Sequence, residues 1–174
     1  MRKILLFVVV ILLISSFSNN VFGQKMGFNA IAPQIGLIVP EDPYNAGFNV
    51  GAVANLGEFY KNIGLYPGLL YWYAGGDVGG VDVSLSNFQI TADIHYKTME
   101  FEGFFAGIAP SLNFLSGKVE GAGSESKTRV GIGFFLGYEM PIQKNLAYVK
   151  AKFDIIKNLT TFKIDIGYFF DISK

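Results

Sequence analysis

Strict alternation of apolar and polar residues over the last segment, 161–172, is the feature that most limits the possible fold. Every second residue is large and apolar, and the positions between them include a lysine, two aspartates and a glycine. A period of two places these two sets on opposite faces of a β-strand. The apolar set is Phe162, Ile164, Ile166, Tyr168, Phe170 and Ile172. The segment is therefore predicted to be a strand with one apolar face and one face that bears opposed charges.

The N-terminal residues predict an export signal rather than a part of the fold. Arg2 and Lys3 precede the apolar run Ile4–Ile14, and Val21-Phe22-Gly23 has β-branched or small residues at the −3 and −1 positions of a cleavage site. This run is too short to cross a bilayer core of about 30 Å, which takes about 20 helical residues. We expect residues 1–23 to be a cleaved signal peptide and residues 24–174 to form one domain.

Composition narrows the class of this domain. Without the two basic residues of the signal, 12 basic residues face 14 acidic ones, so the charge is about −2 and no basic excess favours nucleic acid. The chain has no cysteine, which excludes disulfides and a lipid-modified cysteine. Aromatic residues make up 16% of the chain, which also has 21 glycines. This composition favours an all-β fold.

Eight segments of strand length are separated by turn-forming residues, and an even count is typical of bacterial membrane barrels. They are approximately 27–40, 46–57, 62–74, 84–98, 102–115, 127–140, 145–156 and 159–172. The connections 75–83 and 116–126 are rich in glycine and fall on the same side of an up-and-down barrel. We expect them to be mobile external loops, opposite short periplasmic turns.

In an exported chain, the two faces indicate an inside-out barrel, with the apolar face towards lipid and the charged face towards a narrow lumen. The predicted lumen charge network comprises Asp93, His95, Arg129, Glu139, Lys150, Lys152, Asp154, Lys163 and Asp165. The first, third and fifth segments are apolar on both faces, so their orientation stays open. Pro33, Pro67 and Pro110 in these segments predict bulges or bends, because proline cannot donate to a ladder.

The last hairpin allows a prediction of register. If Lys157-Asn158 is a two-residue turn, Lys150 lies opposite Asp165 and Lys152 lies opposite Lys163. Like charges directly opposite each other are unfavourable, so the lysines need carboxylates nearby. Asp165 is therefore predicted to be the hub of the network.

The end of the chain carries a more specific pattern. Asp165-Ile166-Gly167-Tyr168-Phe169-Phe170-Asp171-Ile172 combines a polar residue, a glycine and two hydrophobic residues that flank one position. With it, the chain resembles the small eight-stranded outer-membrane β-barrels of Gram-negative bacteria, the OmpA/OmpX-like "porin family". The resemblance implies an assembly signal at Asp165, Gly167, Phe170 and Ile172, which the barrel assembly machinery recognises during biogenesis. Many members end on an aromatic residue, whereas this chain continues through Ser173 to Lys174.

These observations predict an all-β, eight-stranded, antiparallel up-and-down transmembrane barrel with an interior that its own side chains fill. The expected protein is a monomer in outer-membrane lipid, without enzymatic activity, cofactor, metal or nucleic-acid partner. It would contribute to envelope integrity or surface interaction through its external loops. The alternatives are a narrow, porin-like transport channel and a soluble exported ligand-binding barrel, which would need an apolar interior.

Two chemical possibilities are weak. His95 is the only histidine, and its strand descends towards the periplasm, so we interpret it as lumen filling rather than as part of a Ser-His-Asp arrangement. Asp77 and Asp82 supply too few carboxylates for a dedicated calcium site.

Overall fold

A computed structural model describes residues 26–98 and 100–172, so the predicted signal peptide, 1–23, lies outside the described residues. The strands are β1 (Ala30–Pro40), β2 (Gly47–Asn55), β3 (Glu58–Tyr60), β4 (Ile63–Val78), β5 (Val81–Lys97), β6 (Phe104–Val119), β7 (Gly123–Ile142), β8 (Asn145–Ile156) and β9 (Leu159–Asp171). In the described ranges, no helix is long and apolar enough to cross a bilayer.

The sheet closes into a barrel of eight antiparallel strands, as the sequence predicts. From β4 to β9 each strand pairs with the next, β9 pairs with β1, and β1 pairs with β2. Pairing between β2 and β4 completes the circle. The short β3 prolongs β2 beyond Gly57, whose φ is 84°, and the backbone N–H of Leu56 keeps the ladder to β4 by donating to the carbonyl of Leu65 at 3.0 Å. Together β2 and β3 make one barrel strand.

The outer surface of the barrel wall is apolar along every strand. Ile35 of β1, Val130 of β7 and Ile166 of β9 are 66%, 62% and 60% exposed. The alternating segments face as predicted, because the residues between the exposed apolar ones are buried inside. The structure also orients β1, β4 and β6, which expose Leu37, Leu69 and Phe114, among others, and turn the alternate residues inward.

The prediction of mobile loops at 75–83 and 116–126 is wrong. Strands β4 and β5 continue to a two-residue turn at 79–80, and β6 and β7 continue to a three-residue turn at 120–122. Glycine at 79, 80 and 121 lies in these turns with positive φ, and Gly123 has positive φ as the first residue of β7, whereas 75, 76 and 117 lie within paired strands. The glycines therefore mark tight turns of long hairpins rather than long loops.

These hairpins rise above the rest of the wall as a four-stranded sheet, β4–β7, which we call the protruding sheet. Its outward face changes from apolar to polar along each strand, and the level of the change steps from strand to strand. On β5 and β6 the last apolar pair is Phe88 and Phe114, and the next outward pair is Ser86 and Ser116. On β4 the exposed Tyr73 still lies opposite Ser86. On β7, the next outward residue above the exposed Val130, towards the turn, is Thr128. This change marks the upper border of the apolar belt.

Two of the three prolines do not produce the predicted bulges. Register is constant through Pro33 in β1, Pro67 in β4 and Pro110 in β6. Pairing lapses beside Pro33 on its β9 side and beside Pro110 on its β5 side, and it resumes there in the same register. Beside Pro67, the pairing of β4 with β2 stops at Gly68, and the pairing with β3 resumes in a shifted register.

Candidate functional site

The middle of the lumen holds a charged layer in which Asp93 is the main acceptor. Lys150 Nζ donates to Asp93 Oδ2 at 2.8 Å, and Lys152 Nζ lies 3.4 Å from Asp93 Oδ1. Thr91 donates to the same Oδ1 at 2.6 Å. Asp93 is on β5 and both lysines are on β8, which is not a neighbour of β5 in the wall. The contacts therefore cross the lumen rather than follow a ladder.

A second carboxylate completes the layer. Asp154 Oδ2 lies 2.7 Å from Lys163 Nζ, and Asp154 Oδ1 lies 3.6 Å from Lys152 Nζ. Lys163 also donates to Gln89 Oε1 at 2.7 Å. With Asp165, the layer has three aspartates and three lysines, each at most 2% exposed. Paired charges of equal number are the arrangement that burial away from water requires.

The predicted register of the last hairpin is confirmed, but the predicted hub is wrong. Lys150 lies opposite Asp165 and Lys152 lies opposite Lys163, with Ile156 opposite Leu159 at the turn. Asp165 nevertheless accepts a hydrogen bond from Asn49 Nδ2 of β2, and the ion pairs within 4 Å converge on Asp93 and Asp154 instead. Gly36 permits this contact, because a Cβ there would collide with Asp165 and Asn49.

The remaining residues of the predicted network lie apart from this layer. His95 is buried, and its ring stacks between Tyr66 and Phe105 with centroid distances of 3.9 and 4.8 Å. Glu139 accepts from Lys97 at 2.6 Å near the end of the barrel where β5 finishes. Arg129 is half-buried near the opposite end, in a recess that also contains Glu41 and Lys157. The structure thus brings together six of the nine predicted residues.

Apolar layers lie on both sides of the charged layer. Towards the protruding sheet, Ile38, Trp72, Ala74, Leu85, Ile156 and Leu159 pack together, with Tyr44 and Leu115 against them. Towards the chain termini, the second layer is Ala30, Ala32, Val53, Tyr66, Phe105, Ala109, Phe135, Tyr148 and Phe169. Trp72 is fully buried and Phe105 is 1% exposed, so both layers are tightly packed. We call them the upper and lower apolar layers.

Sequence reasoning missed both layers. Phe135, Tyr148 and Phe169 interrupt the polar inner faces of β7, β8 and β9. The other large members, Trp72, Tyr66 and Phe105, come from the strands that are apolar on both faces. That double apolar character was the available signal: a strand facing lipid outside and an apolar layer inside has no polar face to orient it.

Glycines on the inner face of β7 make room for the long side chains of its neighbours. A Cβ on Gly133 would collide with Asp154 and come within 2.5 Å of Lys152 Cε, and one on Gly137 would collide with the Phe105 ring. The glycines therefore have a packing role.

Among the residues that the structure describes, the lumen side chains pack and pair with one another. Among the described residues, no group of three His, Cys, Asp or Glu side chains is placed to hold a metal ion. The ring of His95 lies among aromatic side chains, whereas a general base needs hydrogen-bond contact with a nucleophile. The ion pairs and apolar layers instead hold the wall together from within.

The four residues of the predicted assembly signal divide between the two faces of β9. Asp165 and Gly167 point inward, whereas Phe170 and Ile172 are 47% and 41% exposed at the outer surface. Gly167 lies opposite Tyr148, whose ring occupies the space that a Cβ would need. Tyr148 in turn donates to Gln34 at 2.7 Å across the seam between the first and last strands.

No protein-family model matches this sequence, and no curated protein matches it either. Solved structures do match. Neisserial surface protein A has a TM-score of 0.61 at 11% identity, over 86% of this chain and 100% of that one. The fold is that of the small outer-membrane β-barrels. A major outer-membrane protein of Thermus thermophilus has a TM-score of 0.55 at 13% identity, over 83% and 99% of the two chains.

The attachment invasion locus protein Ail of Yersinia pestis has a TM-score of 0.53 at 16% identity, over 83% of this chain and 100% of that one. Identities this low establish the shared barrel and leave the role of this barrel to its own residues. Two features of this chain bear on that role, namely the filled lumen and the protruding sheet.

Proposed function

We propose that this chain is a non-enzymatic integral protein of the outer membrane, in which the barrel anchors the protruding sheet at the cell surface. One observation carries the proposal: a continuous apolar outer belt surrounds a lumen whose charges are buried and paired. Lipid-facing apolar side chains around a polar interior are characteristic of transmembrane barrels. A soluble ligand-binding barrel would need the reverse distribution of charge.

The two apolar layers favour an anchor over a narrow channel. An ion that crossed the lumen would have to pass both layers and the six buried charges between them. Eight strands leave an interior just wide enough for side chains to fill. We infer that the barrel is monomeric in its membrane, inserted by the barrel assembly machinery, and that it contributes to envelope integrity or to surface interactions.

The crystal structure of Ail with the heparin analogue sucrose octasulfate suggests one class of surface ligand. The charges of this chain argue against the same ligand class. At the end that bears the protruding sheet, the acidic residues are Glu41, Asp42, Asp77, Asp82, Glu120 and Glu125, and the basic ones are Lys118, Lys127, Arg129 and Lys157. An excess of two acidic groups disfavours a polysulfated ligand. A protein or envelope partner fits this surface better.

Membrane insertion is tested by extraction. Protein in isolated outer membranes should stay in the pellet after washing with alkaline carbonate or urea and should dissolve only in detergent. Refolded protein in planar bilayers should give no stepwise conductance under conditions in which a general porin does. Release by carbonate would refute the membrane proposal, and regular conductance steps would favour the channel.

Orientation is tested with single cysteines, which the natural chain lacks. Ser126→Cys is at the exposed edge of the protruding sheet, and Lys144→Cys lies in the turn between β7 and β8 at the other end. A membrane-impermeant maleimide should label the first variant in intact cells and the second only after permeabilisation. The reverse pattern would place the protruding sheet in the periplasm.

A further inference from the structure

One side of the protruding sheet ends in a strand that lacks a neighbour. Strand β7 pairs with β6 from Gly123 to Tyr138, but its pairing with β8 begins only at Gly131. Residues 123–130 of β7 therefore have backbone groups that no other described strand of the barrel covers. The side chains from Gly123 to Thr128 are all exposed. Such an edge is a template for another strand.

The alternation of backbone hydrogen bonds along β7 identifies which N–H and C=O groups are free. The backbone N–H of Glu139 donates to the carbonyl of Gly103, which precedes β6, so Glu139 directs its backbone groups to the β6 side. Successive residues of a strand alternate in this direction, and the register of β7 with β6 is constant. The N–H and C=O groups of Ser124, Ser126 and Thr128 therefore point to the open side.

We propose that the open edge of β7 binds the same edge of a second copy of this chain, antiparallel and centred on Ser126. Two copies then place Ser126 opposite Ser126 and Ser124 opposite Thr128. These are the residues whose backbone groups are free, so each exchanges hydrogen bonds with its partner. The proposal deepens the surface role proposed above and rests on it for the location of the edge.

Charge complementarity supports a second copy as the occupant. In this register Glu125 of each copy lies opposite Lys127 of the other, on the same face, at the positions where side chains approach most closely. Within one chain the two residues form an exposed ion pair of 2.9 Å on that face. Lysines alone would keep copies apart, as they do on many edge strands. The alternation of glutamate and lysine removes that repulsion.

Each neighbouring symmetric register brings like charges together. Centring the pair on Glu125 opposes two glutamates, and centring it on Thr128 opposes Lys127 to Arg129. Centring it on Lys127 places Glu125 opposite Arg129 but opposes two lysines at the centre. The remaining registers pair an even-numbered residue with an odd-numbered one. A residue with free backbone groups then faces one whose backbone groups already bond to β6. Among these, only the Ser126 register combines free backbone groups and opposite charges without a pair of like charges.

The symmetry determines how two copies meet. A two-fold axis that relates two antiparallel strands of one sheet is perpendicular to that sheet. The protruding sheet continues the barrel wall, which crosses the membrane, so a line perpendicular to it lies in the membrane plane. Rotation about this axis turns the second copy upside down. This geometry joins copies in opposed membranes and leaves each barrel a monomer in its own. Contact between surfaces that carry many copies makes a short edge effective through multivalency.

Vesicle clustering tests the proposal. Wild-type protein, refolded in vesicles and verified by carbonate resistance, should cluster vesicles of two colours. In Lys127→Glu both facing positions, 125 and 127, are glutamates, and in Glu125→Lys both are lysines. Each variant should therefore reduce clustering at least about tenfold. Vesicles of the first variant mixed with vesicles of the second should cluster again, because opposite charges then meet. Lys118→Glu makes the same charge change on β6, away from the edge, and should cluster like wild type.

Two further measurements make the outcome decisive. Sedimentation in detergent should show a concentration-dependent dimer for wild type and for the mixed variants, which tests the pairing apart from any membrane. Ser126→Pro removes a central N–H at the open edge and should abolish clustering. Dispersed wild-type vesicles, clustering of Lys127→Glu at the wild-type level, or no recovery on mixing would each overturn the pairing. Loss of carbonate resistance would instead count against the membrane proposal.

Discussion

Substitution of Asp93 by Asn should destabilise the barrel more than any other single change in the charged layer. Asp93 is fully buried and faces Lys150 at 2.8 Å and Lys152 at 3.4 Å. Removing one partner of a buried ion pair costs about 3–5 kcal/mol, because the remaining charge is left without compensation. Lys152 keeps Asp154 at 3.6 Å, whereas the close carboxylate partner of Lys150 is lost. We therefore expect a loss of at least about 3 kcal/mol.

Two matched variants determine whether the contacts cause this loss. Asp165→Asn removes an equally buried charge whose hydrogen-bond donor is the Asn49 amide, and an asparagine carbonyl still accepts that bond. Its expected cost is about 1–2 kcal/mol. Asp82→Asn lies on the exposed hairpin and should change stability by less than about 0.5 kcal/mol. The expected order of destabilisation is Asp93, Asp165, Asp82.

Urea unfolding in phospholipid vesicles measures the three variants. Trp72 is the only tryptophan and is fully buried in the upper apolar layer, so its fluorescence reports loss of that layer. With a urea dependence of about 1–3 kcal/mol per molar, a loss of about 3 kcal/mol lowers the midpoint by about 1 M or more. Adding Lys150→Met to Asp93→Asn should restore part of the stability, since it removes the uncompensated ammonium. If Asp93→Asn is as mild as Asp82→Asn, the cross-lumen pairing is refuted.

Three further outcomes follow from β9 and the protruding sheet. Phe170→Asp should lower the amount of assembled barrel in outer membranes much more than Phe162→Asp. Both side chains face outward, but only Phe170 belongs to the predicted assembly signal, so equal yields would refute that prediction. Gly167→Ala should destabilise refolded protein by about 1–3 kcal/mol through overpacking against Tyr148, and the smaller side chain of Tyr148→Leu should relieve it in urea unfolding. Trypsin added to intact cells should leave the β6–β7 hairpin whole, because its basic residues lie in paired strands; rapid cleavage there would favour a mobile loop.

The sequence was sufficient where one face of a strand is apolar and the other polar. Alternation oriented β5, β7, β8 and β9, and the two-residue turn at Lys157-Asn158 set the register of Lys150 against Asp165. It failed for β1, β4 and β6, because Trp72 and Phe105 fill the lumen while residues beside them face outward. Alternation cannot show which face of a strand points outward when the lipid outside and the layer inside are both apolar.

The hub and the loops show two other limits. Asp93 meets Lys150 across the lumen, between strands that are not neighbours in the sheet, and hairpin register predicts only neighbours. The glycines within 75–83 and 116–126 suggest flexible loops by composition, although most residues of these segments continue the strand pairing. Composition indicates where a chain can turn, but cross-strand partners determine how far the strands extend before it does.

The cross-lumen ion pairs have a consequence for the order of events in insertion. Strands β8 and β9 bring three lysines and two aspartates to the lumen, while Asp93 arrives on β5. A partly formed sheet that enters the hydrocarbon before it curves and closes exposes these charges without their cross-lumen contacts, at a cost of several kcal/mol. Closure and insertion are thereby coupled: the chain gains electrostatic stability only when the curved sheet is nearly complete, so unfolding should proceed in one cooperative step without a stable half-inserted form.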